Sequence, residues 1–239
     1  MNPTKEARGF SSHTAAAITV GLLLVTFVLV AGLTDRPLLH GLDTARRAER
    51  AAMAVRDLVP AFQQWGSRAF TMPNLEAGYG QVAYLTVSNA DVDWKMAFQQ
   101  RLIGLLRAYA AVDVFLLAHS NSFVDWAREV DPTLRRRLRL VYNTGCFDLK
   151  QKQAWLELGA RGYVGHVGLS ESPIFYVYFL RRWLRGEPLD ELVPECNLLT
   201  ERMLQITSGA LQFNPLATAA STHAEYLGDG ALAIGSIGR

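Results

Sequence analysis

Stretches that are apolar without alternation are interleaved with stretches that repeat every three to four residues. Val112 to Ala118, in VDVFLLAHS, has almost no polar face, the pattern of a strand covered on both sides in a mostly parallel sheet. Similar runs at Gln81–Val87, Leu138–Tyr142 and Tyr163–Val164, with a last one in Tyr226–Ile234, predict further strands. Between them, Leu102, Leu105, Leu106 and Tyr109 share one helical face within a helix predicted over Trp94–Ala110. Helices are also predicted at Phe123–Val130, Asp148–Leu158, Ile174–Leu184 and Leu189–Ile206. The succession is that of an α/β domain with a mostly parallel sheet flanked by helices, assigned to residues 81–239.

Ahead of it the pattern changes. Residues 15–33 contain no charged residue and would span about 28 Å as a helix, close to the hydrocarbon thickness of a bilayer. They predict one N-terminal transmembrane helix behind a leader of residues 1–14, with lipid as a partner and a single-pass membrane location. A cleaved signal peptide is the alternative reading. Arginines on both sides leave the side of the soluble domain open. Residues 34–80 read as a juxtamembrane helix over Leu42–Leu58, rich in alanine and arginine, followed by a connector containing Pro73, Asn74, Gly78 and Gly80.

The chain has 239 residues and a formal net charge of +2, with no basic patch interleaved with aromatics, which argues against nucleic acid as a partner. No GxSxG, P-loop or dinucleotide fingerprint occurs, and no cofactor is expected. The chemistry collects at strand ends. His119 follows the strand that begins at Val112, Cys146 follows RLRLVYNTG, and His166 follows GARGYVG. The carboxyl edge of an open α/β sheet is where sites are usually built. His119 and Cys146 therefore form a candidate base–nucleophile pair. An inert buried cysteine and a histidine bonded to a neighbouring backbone group are the alternatives. His166 either lines the pocket or sits at a turn. Asp113 and Asp148 could add carboxylates to a metal site, but compact ligand spacing is absent and no metal is expected.

VDVFLLAHS, RLRLVYNTGC, LGARGYVGH, GEPLDELVPECN and LGDGALAI, in that order, resemble the caspase-like fold of cysteine peptidases that includes gingipain-type, clostripain-type and CHAT domains. The resemblance covers roughly residues 81–234. It implies that His119 is the general acid/base and Cys146 the nucleophile of a thioacyl pathway, with Ser120, Gly145 and His166 at the oxyanion or pocket positions. Ser120 stands where the family has glycine, Phe147 follows the cysteine, and Asp229-Gly230 replaces the family's Asp-Pro. The expectation is a membrane-anchored cysteine endopeptidase acting on polypeptide substrates. The alternative is a catalytically inactive caspase-like domain serving as a membrane-anchored structural or interaction subunit, with a membrane-protein partner.

Overall fold

A computed structural model describes residues 41–57, 61–86, 93–118, 122–170, 172–211 and 222–237. Six strands form one sheet: β1 (Arg50–Arg56), β2 (Gln81–Thr86), β3 (Ala111–Leu117), β4 (Leu138–Asn143), β5 (Gly162–His166) and β6 (Ala224–Gly228), in the order β2-β1-β3-β4-β5-β6. The first five run parallel and β6 pairs antiparallel to β5. The chain steps from β1 to β2 on one side, then returns to β3 on the other. In open α/β sheets such a reversal, here between β1 and β3, is where a ligand crevice is usually placed.

Helices cover both faces. Helices α1 (Ala61–Gly78), α6 (Ser172–Leu184) and α7 (Leu189–Leu211) cover one, where Leu75, Phe179, Trp183 and Leu192 pack on Ala52, Phe115, Leu140 and Val164. Helices α2 (Trp94–Ala108), α3 (Phe123–Arg128) and α5 (Lys152–Glu157) cover the other, where Phe98, Leu102, Phe123 and Trp155 pack on Met53, Val114, Leu116 and Val141. A single turn, α4 (Pro132–Arg135), leads into β4, with Asp131 capping it through the Thr133 N–H at 2.7 Å. Successive β3 residues alternate between these two cores, which is why its sequence shows no polar face.

The sheet takes in residues that sequence pattern assigns elsewhere. Arg50-Ala51-Ala52-Met53-Ala54-Val55-Arg56, within the expected juxtamembrane helix, is a central strand instead. Alanine favours helix on intrinsic propensity. Here Ala51, Ala52 and Ala54 are fully buried, and their small side chains let helices approach both faces. Residues 61–78, expected as connector, form α1 with Pro73 inside it. Its end fits closely: a side chain at Gly78 would meet Leu184 Cδ2 at 2.2 Å.

The expectations of a transmembrane helix, a lipid partner and a single-pass membrane location are corrected. Among the described residues no helix is long and apolar enough to cross a membrane. The longest, α7, carries Asp190, Glu191, Glu195, Glu201 and Arg202, charges that a bilayer interior excludes. Residues 15–33 themselves lie outside the described residues.

The amino ends of the strands meet in a buried polar network. Asp113 of β3 accepts from Arg139 of β4 through both oxygens, Nε–Oδ1 at 2.8 Å and Nη2–Oδ2 at 2.6 Å. It also accepts the Leu140 N–H at 3.1 Å, at the irregularity in the β3–β4 register. Tyr79 donates its hydroxyl to Asp113 and receives the Trp183 indole N–H at 2.8 Å. Arg50 of β1 donates to the carbonyls of Gly78, Ile234 and Asp43, and Arg139 also reaches the Ile234 carbonyl. Desolvation opposes the charge on Arg139, but Asp113 holds its pKa above the ordinary value; Arg50, served by carbonyls and facing Arg139, is pushed down, first by desolvation.

Asp113→Ala leaves the buried Arg139 guanidinium without its carboxylate, and is expected to cost about 3–5 kcal/mol in urea unfolding. The double variant Asp113→Leu with Arg139→Met is expected to lose much less than Asp113→Ala. Equal losses would show that the pair is not the source of the effect.

Candidate functional site at the carboxyl end of β4

Strand β4 ends in Asn143-Thr144-Gly145-Cys146-Phe147, a sharp turn into a short 3-10 segment, Asp148–Gln151, and then α5. The turn is tied to its neighbours. Thr144 gives its backbone N–H and its hydroxyl to the Leu116 carbonyl at 2.9 and 3.2 Å. Asn143 Oδ1 accepts the Gly145 N–H at 3.0 Å, and the Phe147 N–H donates to the Gly168 carbonyl at 2.8 Å. Phe147 has φ 59°, the left-handed region that a residue with a β-carbon enters at a cost of about 1–3 kcal/mol.

Cys146 is half-buried, and its Sγ accepts the Ser170 N–H at 3.5 Å, its one hydrogen bond among the described residues. The second cysteine, Cys196, is buried in α7, and desolvation pushes its thiol up to about 12. Both thiols are free. Gly145 has no room for a side chain: a β-carbon would stand 1.8 Å from Asp148 Oδ2 and 2.5 Å from the Ala118 carbonyl oxygen. The resemblance implies only a small residue here; the packing requires glycine.

His166 is fully buried on β5. Its Nδ1 lies 2.7 Å from the Thr222 carbonyl, to which it donates, and Nε2 faces the Tyr142 hydroxyl at 3.4 Å. Burial pushes it down to about 4, so it is neutral across the physiological range. His119 and Ser120 lie outside the described residues; Ala118, just before them, is buried against the Gly145 turn. Asp113 is committed to Arg139 in the opposite half of the sheet, and no cluster of three or more His, Cys, Asp or Glu able to hold a metal occurs among the described residues.

The expectation of a membrane-anchored cysteine endopeptidase, and its alternative as a membrane-anchored subunit, are therefore corrected. The described residues supply neither the anchor nor a basic side chain on Cys146, whose Sγ meets a backbone N–H instead. The polypeptide-substrate and membrane-protein partners fall with them.

Asp148 and Asn143 carry the unassigned chemistry of this turn. Both are about 1% exposed, yet Asp148 Oδ2 and Asn143 Nδ2 make no hydrogen bond among the described residues. Asp148 Oδ1 accepts from Gln151 at 3.2 Å, and its backbone carbonyl accepts the Tyr163 hydroxyl at 2.6 Å. Desolvation raises the Asp148 carboxyl to about 7, opposed by Lys150 and, least, by the Asn143 carboxamide, and reinforced by Asp57, which follows β1. In sequence Asp148 reads as a helix-start residue, and only the packing of Gly145 and Ala118 on its oxygen gives it another role.

Comparisons of the chain with models of known families, with curated proteins and with solved structures return no match.

Two buried groups give stability opposite dependences on pH. Below about 6.5 the unfolded chain protonates His166 while the folded one does not until about 4, so stability is lost as pH falls through that window. Between about 3.8 and 7 the folded chain keeps the Asp148 proton that the unfolded chain has released, so stability is lost as pH rises. The Asp148 effect is up to about 4 kcal/mol above neutrality and the His166 effect roughly 3 kcal/mol at low pH. Asp148→Asn is therefore expected to be more stable than wild type at pH 8, and its urea midpoint should climb between pH 4.5 and 6.5 where the wild-type midpoint stays nearly level. A parallel pair of pH profiles would contradict this assignment.

Proposed function

We propose that this is a small-molecule-binding α/β domain that holds an apolar carbonyl compound against the Cys146 thiol, at the carboxyl ends of β4 and β5. The observation that carries the reading is the rim of the turn. Phe147, Val167 and Leu169 are 55%, 44% and 59% exposed and flank the half-buried thiol. They account for three of the five large apolar side chains that stand exposed among the described residues. The contacts Phe147 N–H to Gly168 O and Ser170 N–H to Cys146 Sγ join the two segments that bear them. Exposed apolar residues gathered at one end of a sheet, beside a half-buried thiol, are a feature of ligand-binding edges rather than of ordinary surface.

A thiol adds reversibly to the electrophilic carbon of a carbonyl group. Addition forms one C–S bond, and the carbonyl π pair moves to oxygen, which takes up the thiol proton. The adduct needs no other reactant and reverses by the same path. Hydrolysis of polypeptides forms no part of this proposal. It includes membership in the caspase-like fold group. Support for that comes from the phrases VDVFLLA, RLRLVYN and GYVGH, which lie side by side as β3, β4 and β5 in a mostly parallel sheet flanked by helices.

The test is selective labelling at pH 7. N-phenylmaleimide is expected to modify Cys146 and spare Cys196 in the native chain, read by peptide mass. Relative to iodoacetamide, its rate should exceed that on a free cysteine peptide by about tenfold, which is roughly 1.4 kcal/mol of apolar contact. Phe147→Ala and Leu169→Ala should reduce that ratio towards the peptide's. A ratio already equal to the peptide's in wild type overturns the reading.

A further inference from the structure

We propose that the turn from Thr144 to Gln151 is a proton-operated latch over Cys146, closed while the Asp148 carboxyl is neutral and released when it ionises; this rests on the reading of Cys146 as the ligand-holding group. Three features of the turn point this way. Asp148 Oδ2 is buried without a hydrogen-bond partner among the described residues, in the space that a side chain at Gly145 would fill. The Ala118 carbonyl oxygen borders that same space and sets a partial negative charge beside Oδ2, against which the Asn143 carboxamide is the weakest of the influences on the carboxyl. Phe147, between Cys146 and Asp148, is held in the left-handed region and would relax if the turn were freed.

The groups around Asp148 favour a switch over a permanent charge. From the residue after β1 comes Asp57, whose anion disfavours a second one nearby. From β5, Tyr163 binds the Asp148 backbone carbonyl and not its carboxylate. From the turn itself, Lys150 is exposed and favours the anion through space, and the Asn143 carboxamide favours it least of these groups, its Nδ2 making no close hydrogen bond among the described residues. Burial raises the carboxyl to about 7, which places the change of state within the physiological range. An ionised carboxylate in this position gains by moving to water, and the residues it carries with it are Phe147 and Cys146.

Hydrogen exchange of the full chain, corrected for the intrinsic pH dependence of amide exchange, tests the latch directly. Protection of the amides of residues 144–151 is expected to fall about tenfold from pH 6 to pH 8, while β1 and β3, which open with the whole fold, change only as far as global stability does over that range. Asp148→Asn keeps the shape without the charge and should hold protection level over that range. Asp57→Asn should move the midpoint of the fall to lower pH. Level protection in wild type, or the same fall in Asp148→Asn, overturns the latch. The small-molecule reading is judged separately by the maleimide preference at pH 6. Loss of that preference with the exchange titration intact defeats the ligand assignment alone, and the reverse defeats the latch alone.

Discussion

The Asp113–Arg139 pair is the constraint on which the rest of the structure depends. A bidentate carboxylate–guanidinium contact between adjacent parallel strands fixes the local β3–β4 alignment, and Asp113 also takes the Leu140 N–H where the ladder shifts register. Tyr79 brings the end of α1 onto it, Trp183 brings α6, and the Ile234 carbonyl brings the chain beyond β6. Arg50 extends the network to β1 and to the Asp43 segment. Segments far apart in sequence converge on one buried carboxylate, so the amino edge of the sheet is closed and stiff.

The carboxyl edge is built differently. Its turn after β4 contains a left-handed Phe147, a glycine that admits no side chain, and a buried carboxyl with one oxygen unbonded among the described residues. Each of these costs stability, and each adjoins Cys146. A sheet held tightly at one edge can carry strain at the other, the usual arrangement where local backbone cost serves a site. The antiparallel edge strand β6 is closed off by Asn197 of α7, whose carboxamide binds both the N–H and the carbonyl of Ala224, so that edge is blunted against further strand pairing.

Most elements from Gln81 onward form where periodicity places them, because a strand buried on both faces and a one-sided helix leave different marks in sequence. Pattern fails at β1 and α1. The RAAMAVR segment has helical composition, and only its position between β2 and β3, with helices on both faces, makes it a strand. Residues 61–78 carry loop signals in Pro73 and Asn74, and α1 nevertheless runs on to Gly78. At the site, Cys146 and Gly145 were legible as the end of a strand. Asp148 and Asn143 were not, since their significance lies in how the turn buries them together.

By itself, the sequence determined the α/β class, the order of the elements after Gln81 and the delivery of a cysteine to a strand end, because these follow from local periodicity and chain order. Tertiary structure decided that Arg50–Arg56 is a central strand, that His166 is a buried neutral ring, that Asp113 belongs to Arg139, and that Asp148 lies buried beneath the Gly145 turn. Those outcomes depend on which distant groups share a buried volume and on the desolvation they meet there, which no stretch of neighbouring residues encodes.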